Sequence, residues 1–390
     1  MRKDRYCRIV VALSVSFFIA PVLGDDLAQH KDQDEIVIET RLKETVEYLA
    51  SDELQGRGPN TEGIDRAADY IAKRMAKIGL KTDTFNRSPY QDFNARVMNF
   101  EEDSCINYVW PNMWSFIGIG LYDLFLKNDD SPATNETPDR SPKTRGGFVK
   151  LNNVVAILDT RGPLAEETIV VGAHYDHLGE RKNPDGKVIA VYHGANDNAS
   201  GVAVMLEVAQ MLAQRQKKLP RRILFVAFSG EELGLLGSFH YVNHPPVPLE
   251  KTIAMINLDV VGRMEGDMVI SIGASTSPIL AKMTDKAVKQ RQLTLLEIPG
   301  TLAGSDHVAF YSSRIPVVFL LTEGGRSDHH RPTDRANTLN YTGMRKIAQI
   351  AADISVELAE AEQRPEFSEE GAISIFFRNI LRLWGRMTDN

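Results

Sequence analysis

The chain has 390 residues, 43% of them hydrophobic and 25% charged, with a formal net charge of −7. That balance suits a soluble globular protein with one large core or two modest ones. It holds no basic stretch large enough to track phosphates, so nucleic acid is excluded as an expected partner.

The first segment sets compartment. "MRKDRYCR" is basic, "IVVALSVSFFIAPVLG" is apolar, and Val22 and Gly24 are small residues just before Asp25. This three-part pattern predicts a secretory signal peptide over residues 1–24, and with it export to the periplasm or beyond the cell. The apolar run is short for a membrane span and ends near Pro21, which favours cleavage over anchoring. Cys7 lies within this signal, leaving Cys105 alone in the mature chain and no internal disulfide.

Two amphipathic helices follow in "EIVIETRLKETVEYLASDEL" and "TEGIDRAADYIAKRMAKIGL", the second stopping at Gly79. Residues 88–150 break the pattern. "WPNMWSFIGIGLYDLFL" is aromatic and apolar, whereas "SPATNETPDRSPKTRGG" has the composition of a mobile loop, so the segment reads as an inserted loop or lid. From "NNVVAIL" onward, strands ("TIVVGAH", "RRILFVAF", "TIAMINLD", "MVISIG", "PVVFLL") alternate with helices ("GVAVMLEVAQMLAQRQ", "SPILAKMTDKAVKQR", "MRKIAQIAADISVELAEA"). The pattern predicts an α/β fold: a mixed, mostly parallel central sheet with helices on both faces. The tail, residues 363–390, carries Arg378, Arg382 and Arg386 at four-residue spacing among Ile375, Phe376, Leu383 and Trp384. It reads as an amphipathic helix, either for a lipid surface or for docking on the body or on a second subunit.

In open α/β sheets ligands bind beyond the carboxyl ends of the strands. Five sets of polar residues fall at those ends: His174, Asp176 and His177; Asp197; Glu231 and Glu232; Asp259; and Asp328, His329, His330 and Asp334. Taken singly, Asp197 reads as a helix cap and Asp259 as the start of a turn. Together, carboxylates and imidazoles at one sheet edge predict a metal site of the zinc type.

The segments "GAHYDHLG", "GANDNASGVAVMLEVA", "FVAFSGEELGLLGS", "INLDVVGR", "GSDHVAFY" and "DHHRPTDRANTL" resemble the successive motifs of metallopeptidase family 28, the di-zinc aminopeptidases. "LASDELQGRGPNTEGIDRAADYIA" is similar to the N-terminal region of its bacterial members. The resemblance spans roughly residues 36–362, fading through 88–150, and implies a zinc peptidase domain over 25–362 with a zinc-exopeptidase, phosphorylase-hydrolase-like fold. It also implies two Zn²⁺ ions: His174 and Asp259 on one, Glu232 and His330 on the other, Asp197 bridging. His330 is preferred to His329 because "HRPTD" begins there. Glu231 would be the general base toward a bridging hydroxide, and Asp176 would orient His174. The implied activity is removal of N-terminal residues from peptides. A one-zinc glutaminyl-peptide cyclotransferase and a non-catalytic receptor-like module of the same fold are the alternatives.

The chain departs from the family where relatives often place an oxyanion-stabilising tyrosine, since that position is His329 here. His307, in "GSDH", matches a position near the substrate pocket, so His329 and His307 are the two candidate substrate contacts. His177 reads as structural or as part of the pocket rim, not as a ligand.

Overall fold

A strand that is apolar on both faces is stable only between two layers, and this requirement organises the whole structure. The computed structural model describes residues 20–97, 147–298, 304–322 and 328–368. Among these residues ten strands form: β1 Tyr90–Val97, β2 Gly147–Leu158, β3 Thr168–His174, β4 Gly179–Lys182, β5 Val188–Tyr192, β6 Arg222–Phe228, β7 Thr252–Leu258, β8 Met268–Ile272, β9 Thr294–Ile298 and β10 Val317–Leu321. Eight of them make one sheet in the order β1-β2-β6-β3-β7-β10-β8-β9, and β4 pairs with β5 as a separate hairpin. The centre, β6-β3-β7-β10, is parallel, as is β8-β9; β1-β2, β2-β6 and β10-β8 are antiparallel. The expected mixed α/β sheet is what forms.

Alternation along the strands sends side chains to two cores. Val154, Ala156, Ile169, Val171, Phe225 and Ala227 point toward a layer built from helices α1 Ala20–Leu49, α2 Glu62–Ile78, α3 Ser200–Ala213, and, further along the chain, α5 Pro278–Lys289 and α7 Tyr341–Glu360. Val155, Ile157, Val170, Leu224, Val226 and Phe228 point the other way, onto α4 Leu236–Asn243 and α6 His307–Ser312. The helix ends follow local chemistry. Thr61 caps α2 by accepting from the Ile64 amide, and Gly79, at φ 95, closes it.

The strands expected from apolar runs all form, and β1, β4, β5 and β9 are added to them. Residues 88–150 are more than an insertion: their ends are β1 and β2, paired to each other in the main sheet. The readings of "WPNMWSFIGIGLYDLFL" and of nearly all the loop after it lie outside the described residues, as do residues 1–19 of the signal and 369–390 of the tail. Helix α1 begins at Ala20, upstream of the expected start near Glu35. Among the described residues, no helix is long and apolar enough to cross a membrane.

Candidate metal centre

Parallel register brings the first pair of site residues together. Gly172 of β3 lies opposite Asn257 of β7, and two residues further along come His174, the last of β3, and Asp259, just past the end of β7. His174 Nε2 stands 3.3 Å from Asp259 Oδ1 and 3.3 Å from Asp197 Oδ1. Its other nitrogen, Nδ1, meets the Asp176 main-chain carbonyl at 3.2 Å. A carbonyl only accepts, so the ring proton sits on Nδ1 and the Nε2 lone pair faces two carboxylates. That arrangement requires a proton or a cation between them.

Asp197 reaches the cluster from the turn before α3. Its amide and that of Asn196 donate to the Asp334 carboxylate at 2.9–3.1 Å. Asn198 fixes the following residue by donating to the Leu258 carbonyl and accepting from the Gly201 amide. The Asp197–Asn198 peptide is cis. Asp197 is therefore the anchored residue of a pinned turn, and its side chain points into the cluster. The expectation that a lone Asp197 would cap the helix is replaced by this role.

The second pair lies across Asp197. His330 Nε2 is 3.2 Å from Asp197 Oδ2 and 3.1 Å from Glu232 Oε2. Donor atoms bound tetrahedrally to zinc at about 2.0–2.1 Å stand about 3.3–3.4 Å apart, close to these separations. Asp197 Oδ2 is also buried without a hydrogen-bond partner among the described residues, although two imidazole nitrogens lie within 3.3 Å of it. An orphaned buried carboxylate oxygen at such spacing fits a cation site. Three groups have the spacing to hold an ion, the last two sharing Asp197: His174, Glu231 and Asp259; His177, Asp197 and Glu232; and Asp197, His329 and His330.

Glu231 and Glu232 sit just past β6 on a backbone held by one carboxylate. Asp176 accepts the Glu231 amide at 3.2 Å and the Glu232 amide at 3.3 Å. Its carboxylate is 3.6 Å from His174 Nδ1, beyond hydrogen-bond reach. The expected contact between Asp176 and His174 thus runs through the Asp176 carbonyl, because the side chain is committed to the two amides. Burial, reinforced by Glu232, Asp259 and Asp306 and opposed by His174, holds the Glu231 carboxyl well above the usual range. Burial and Asp197 act in the same sense on Glu232, yet His330 and His177 draw it down to about 2. Burial lowers the basicity of His330, but Glu232 and Asp197 outweigh it and raise the ring to about 11. The proton on His330 is one that a bound cation would displace.

The loop carrying His329 and His330 is clamped by Arg263, which pairs with Asp328 and, at 3.0 Å, with Asp334. His329 Nδ1 is 3.3 Å from Asp197 Oδ2, and its ring stacks on His330 with centroids 3.9 Å apart. Imidazole binds a metal in its ring plane, so two stacked rings do not both face one ion. His307 is a different case. It is fully buried against Phe319, with neither nitrogen partnered among the described residues and the ring pushed down to about 3 by burial. Its side chain has no exposed surface, so of the two expected substrate contacts His329 is the one that reaches solvent in this structure.

Sequence reasoning missed two groups, Arg57 and Ser305, and placed a third, His177, only loosely. Arg57, fully buried, donates to the carbonyls of Leu49, Tyr175, His193 and Gly194 and so ties the His174 strand end to the Asp197 turn. Ser305 donates to Asp259 Oδ2 at 2.8 Å. His177, expected to be structural or on the rim, is fully buried and touches Glu232. Arg57 and Ser305 lie inside the quoted motifs "LASDELQGRG" and "GSDH"; nothing in their spacing marks them out.

Residues 153–355 match the model of peptidase family M28. Aminopeptidase YwaD of Bacillus subtilis is 26% identical over 261 residues, covering 64% of this chain and 54% of that protein. The chain spans about half the length of that curated relative. Among solved structures, BSAP, a zinc aminopeptidase from Bacillus subtilis, superposes with a TM-score of 0.58 at 19% identity, over 85% of this chain and 98% of that one. A glutaminyl cyclase from Bacteroides thetaiotaomicron, bound to N-acetylhistamine, gives 0.54 at 18% identity, over 81% and 96%. At such identities the superpositions speak for the fold alone. The family match covers more than half of the chain and includes His174, Asp197, Glu231, Glu232, Asp259 and His330, and by it the chain belongs to peptidase family M28.

Proposed function

We propose that this protein is a zinc-dependent aminopeptidase that removes N-terminal residues from peptides. One observation carries the reading: His174, Asp197, Glu232, Asp259 and His330, from five separate segments, converge with neighbouring donors 3.1–3.3 Å apart. Asp197 presents Oδ1 to one half and Oδ2 to the other, which suits it to bridge two ions. His174 and Asp259 complete the first position, Glu232 and His330 the second. Bound there, zinc supplies Lewis acidity toward the scissile carbonyl and lowers the pKa of a water.

The chain's own residues do the rest. Glu231 belongs to the inner group but is not needed to complete it, so its carboxylate is free to take a proton from the attacking water and return it to the leaving amine. Asp176 fixes the peptide carrying Glu231, so the base and the neighbouring donor keep their relative position. His329 lies at the mouth, half exposed beside Asp197, and is the donor we assign to the carbonyl oxygen that gains charge. Export rests on the pattern of residues 1–24, and lipid contact or self-association on that of the tail.

The likeness to a glutaminyl cyclase keeps the cyclotransferase as the second reading. A panel of free aminoacyl, N-blocked and N-terminal glutaminyl peptides separates the two. Hydrolysis confined to free N-termini supports the proposal; cyclisation of the glutaminyl peptide without hydrolysis overturns it.

A further inference from the structure

The two terminal carboxylates of the centre face one problem. Each has two oxygens, and a free carboxylate can swing between one-oxygen and two-oxygen contact. Asp259 is settled by Ser305, whose hydroxyl donates to Oδ2 and leaves Oδ1 beside His174. Glu232 has no such hydroxyl. It has His177, whose Nδ1 stands 2.7 Å from Oε1, while Oε2 faces His330 at 3.1 Å.

Separation tells hydrogen-bond partner from ligand here. The 2.7 Å contact is a charge-assisted hydrogen bond, too short for the roughly 3.3–3.4 Å edge of a tetrahedral zinc site. His177 Nδ1 is also 3.9 Å from Asp197 Oδ2, where His330 comes to 3.2 Å. The ring is held from several sides. Its main-chain amide donates to the Arg57 carbonyl at 3.2 Å, and the His330 ring meets it edge-on at 5.7 Å. Gly194, at φ 57, lies so close that a Cβ there would fall 2.6 Å from the imidazole. The side chain is wholly buried, so the nitrogen cannot turn to water instead.

We propose that His177 is a positioning residue of the outer ion position: it donates its Nδ1 proton to Glu232 Oε1 and so holds the carboxylate to one-oxygen contact through Oε2. It does for Glu232 what Ser305 does for Asp259. This inference rests on the two-ion reading above. Partners of this kind, which hold a ligand without touching the metal, are worth roughly 10–100-fold in metal affinity.

The test compares wild type, His177→Asn and His177→Leu in equilibrium Zn²⁺ titrations against a competing chelator, with bound zinc counted per chain. Asn and Leu have nearly the same shape, but only Asn keeps a donor near the Nδ1 position. The expected result is two ions in wild type, a second ion about 10–100-fold weaker in His177→Leu with the first unchanged, and His177→Asn within about threefold of wild type. Two tight ions in His177→Leu overturn the role of His177 alone. An Asn variant more than about tenfold weaker also overturns it, and that comparison stands even if the leucine variant does not fold. Fewer than two ions in wild type overturns the two-ion reading itself, and this inference with it.

Discussion

The buried strand-end donors of the centre and its two loop histidines are held by different means. His174 and Asp259 extend from strand ends, and the His174 side chain is 1% exposed. His329 and His330 ride on a loop and are 51% and 41% exposed. The inner pair is positioned by sheet register, which cannot slip without turning apolar side chains out of both cores. The loop histidines are positioned by charge, through Arg263 on Asp328 and Asp334, while Glu232 is held just past β6 by Asp176. His330 also holds φ 55, a left-handed conformation that a histidine adopts at some cost. Val260, directly after Asp259, is strained in the same way at φ 52, so both halves carry local strain beside a candidate ligand. The difference teaches a division of labour: a rigid, buried floor, and a rim open to solvent.

Four substitutions sharpen or break that division. The largest effect is expected at Glu231, beside the floor. Glu231→Gln should retain its zinc and lose roughly 10²–10⁴ in turnover, measured with a free aminoacyl peptide alongside metal content. Near-normal turnover would remove Glu231 from the chemistry. On the rim, His329→Ala should slow kcat about 10²-fold with zinc affinity unchanged, as for a lost oxyanion donor. A fall in metal affinity instead would make His329 a ligand and blur the two halves.

Asp334 joins floor and rim, since it accepts the Asn196 and Asp197 amides and pairs with Arg263. Asp334→Asn should weaken zinc binding by about 10–100-fold, read by chelator competition. The smallest effect concerns His307. Its folded-state value, about 3, lies below its ordinary 6.5, so between these pH values the unfolded chain binds the extra proton. Its contribution to stability is therefore present above pH 6.5 and declines as pH falls toward 3, by at most about 1.4 kcal/mol per unit. His307→Gln should flatten this part of the melting-temperature profile between pH 7 and 5 without changing activity at pH 7. An unchanged slope would show that the ring does titrate in the folded protein.

The central strands were legible because a doubly covered strand leaves an unbroken apolar run, as in "RILFVAF". The donors were legible because strand ends mark where such sheets bind. Edge strand β1, "YQDFNARV", was not, since its partner β2 lies beyond about fifty intervening residues and no short apolar run marks it. Arg57 stayed hidden because all its acceptors are main-chain carbonyls, which every residue possesses. His177 and Asp176 show a subtler limit. Both belong to the motif that was read, but whether an imidazole binds a metal or a ligand's second oxygen depends on differences under 1 Å.

The most direct test of the account is diffraction from zinc-soaked crystals at the zinc absorption edge. It predicts two anomalous peaks about 3.5–4 Å apart with the Asp197 carboxylate between them, one beside His174 and Asp259, the other beside Glu232 and His330. A single peak, or peaks away from these side chains, would contradict it.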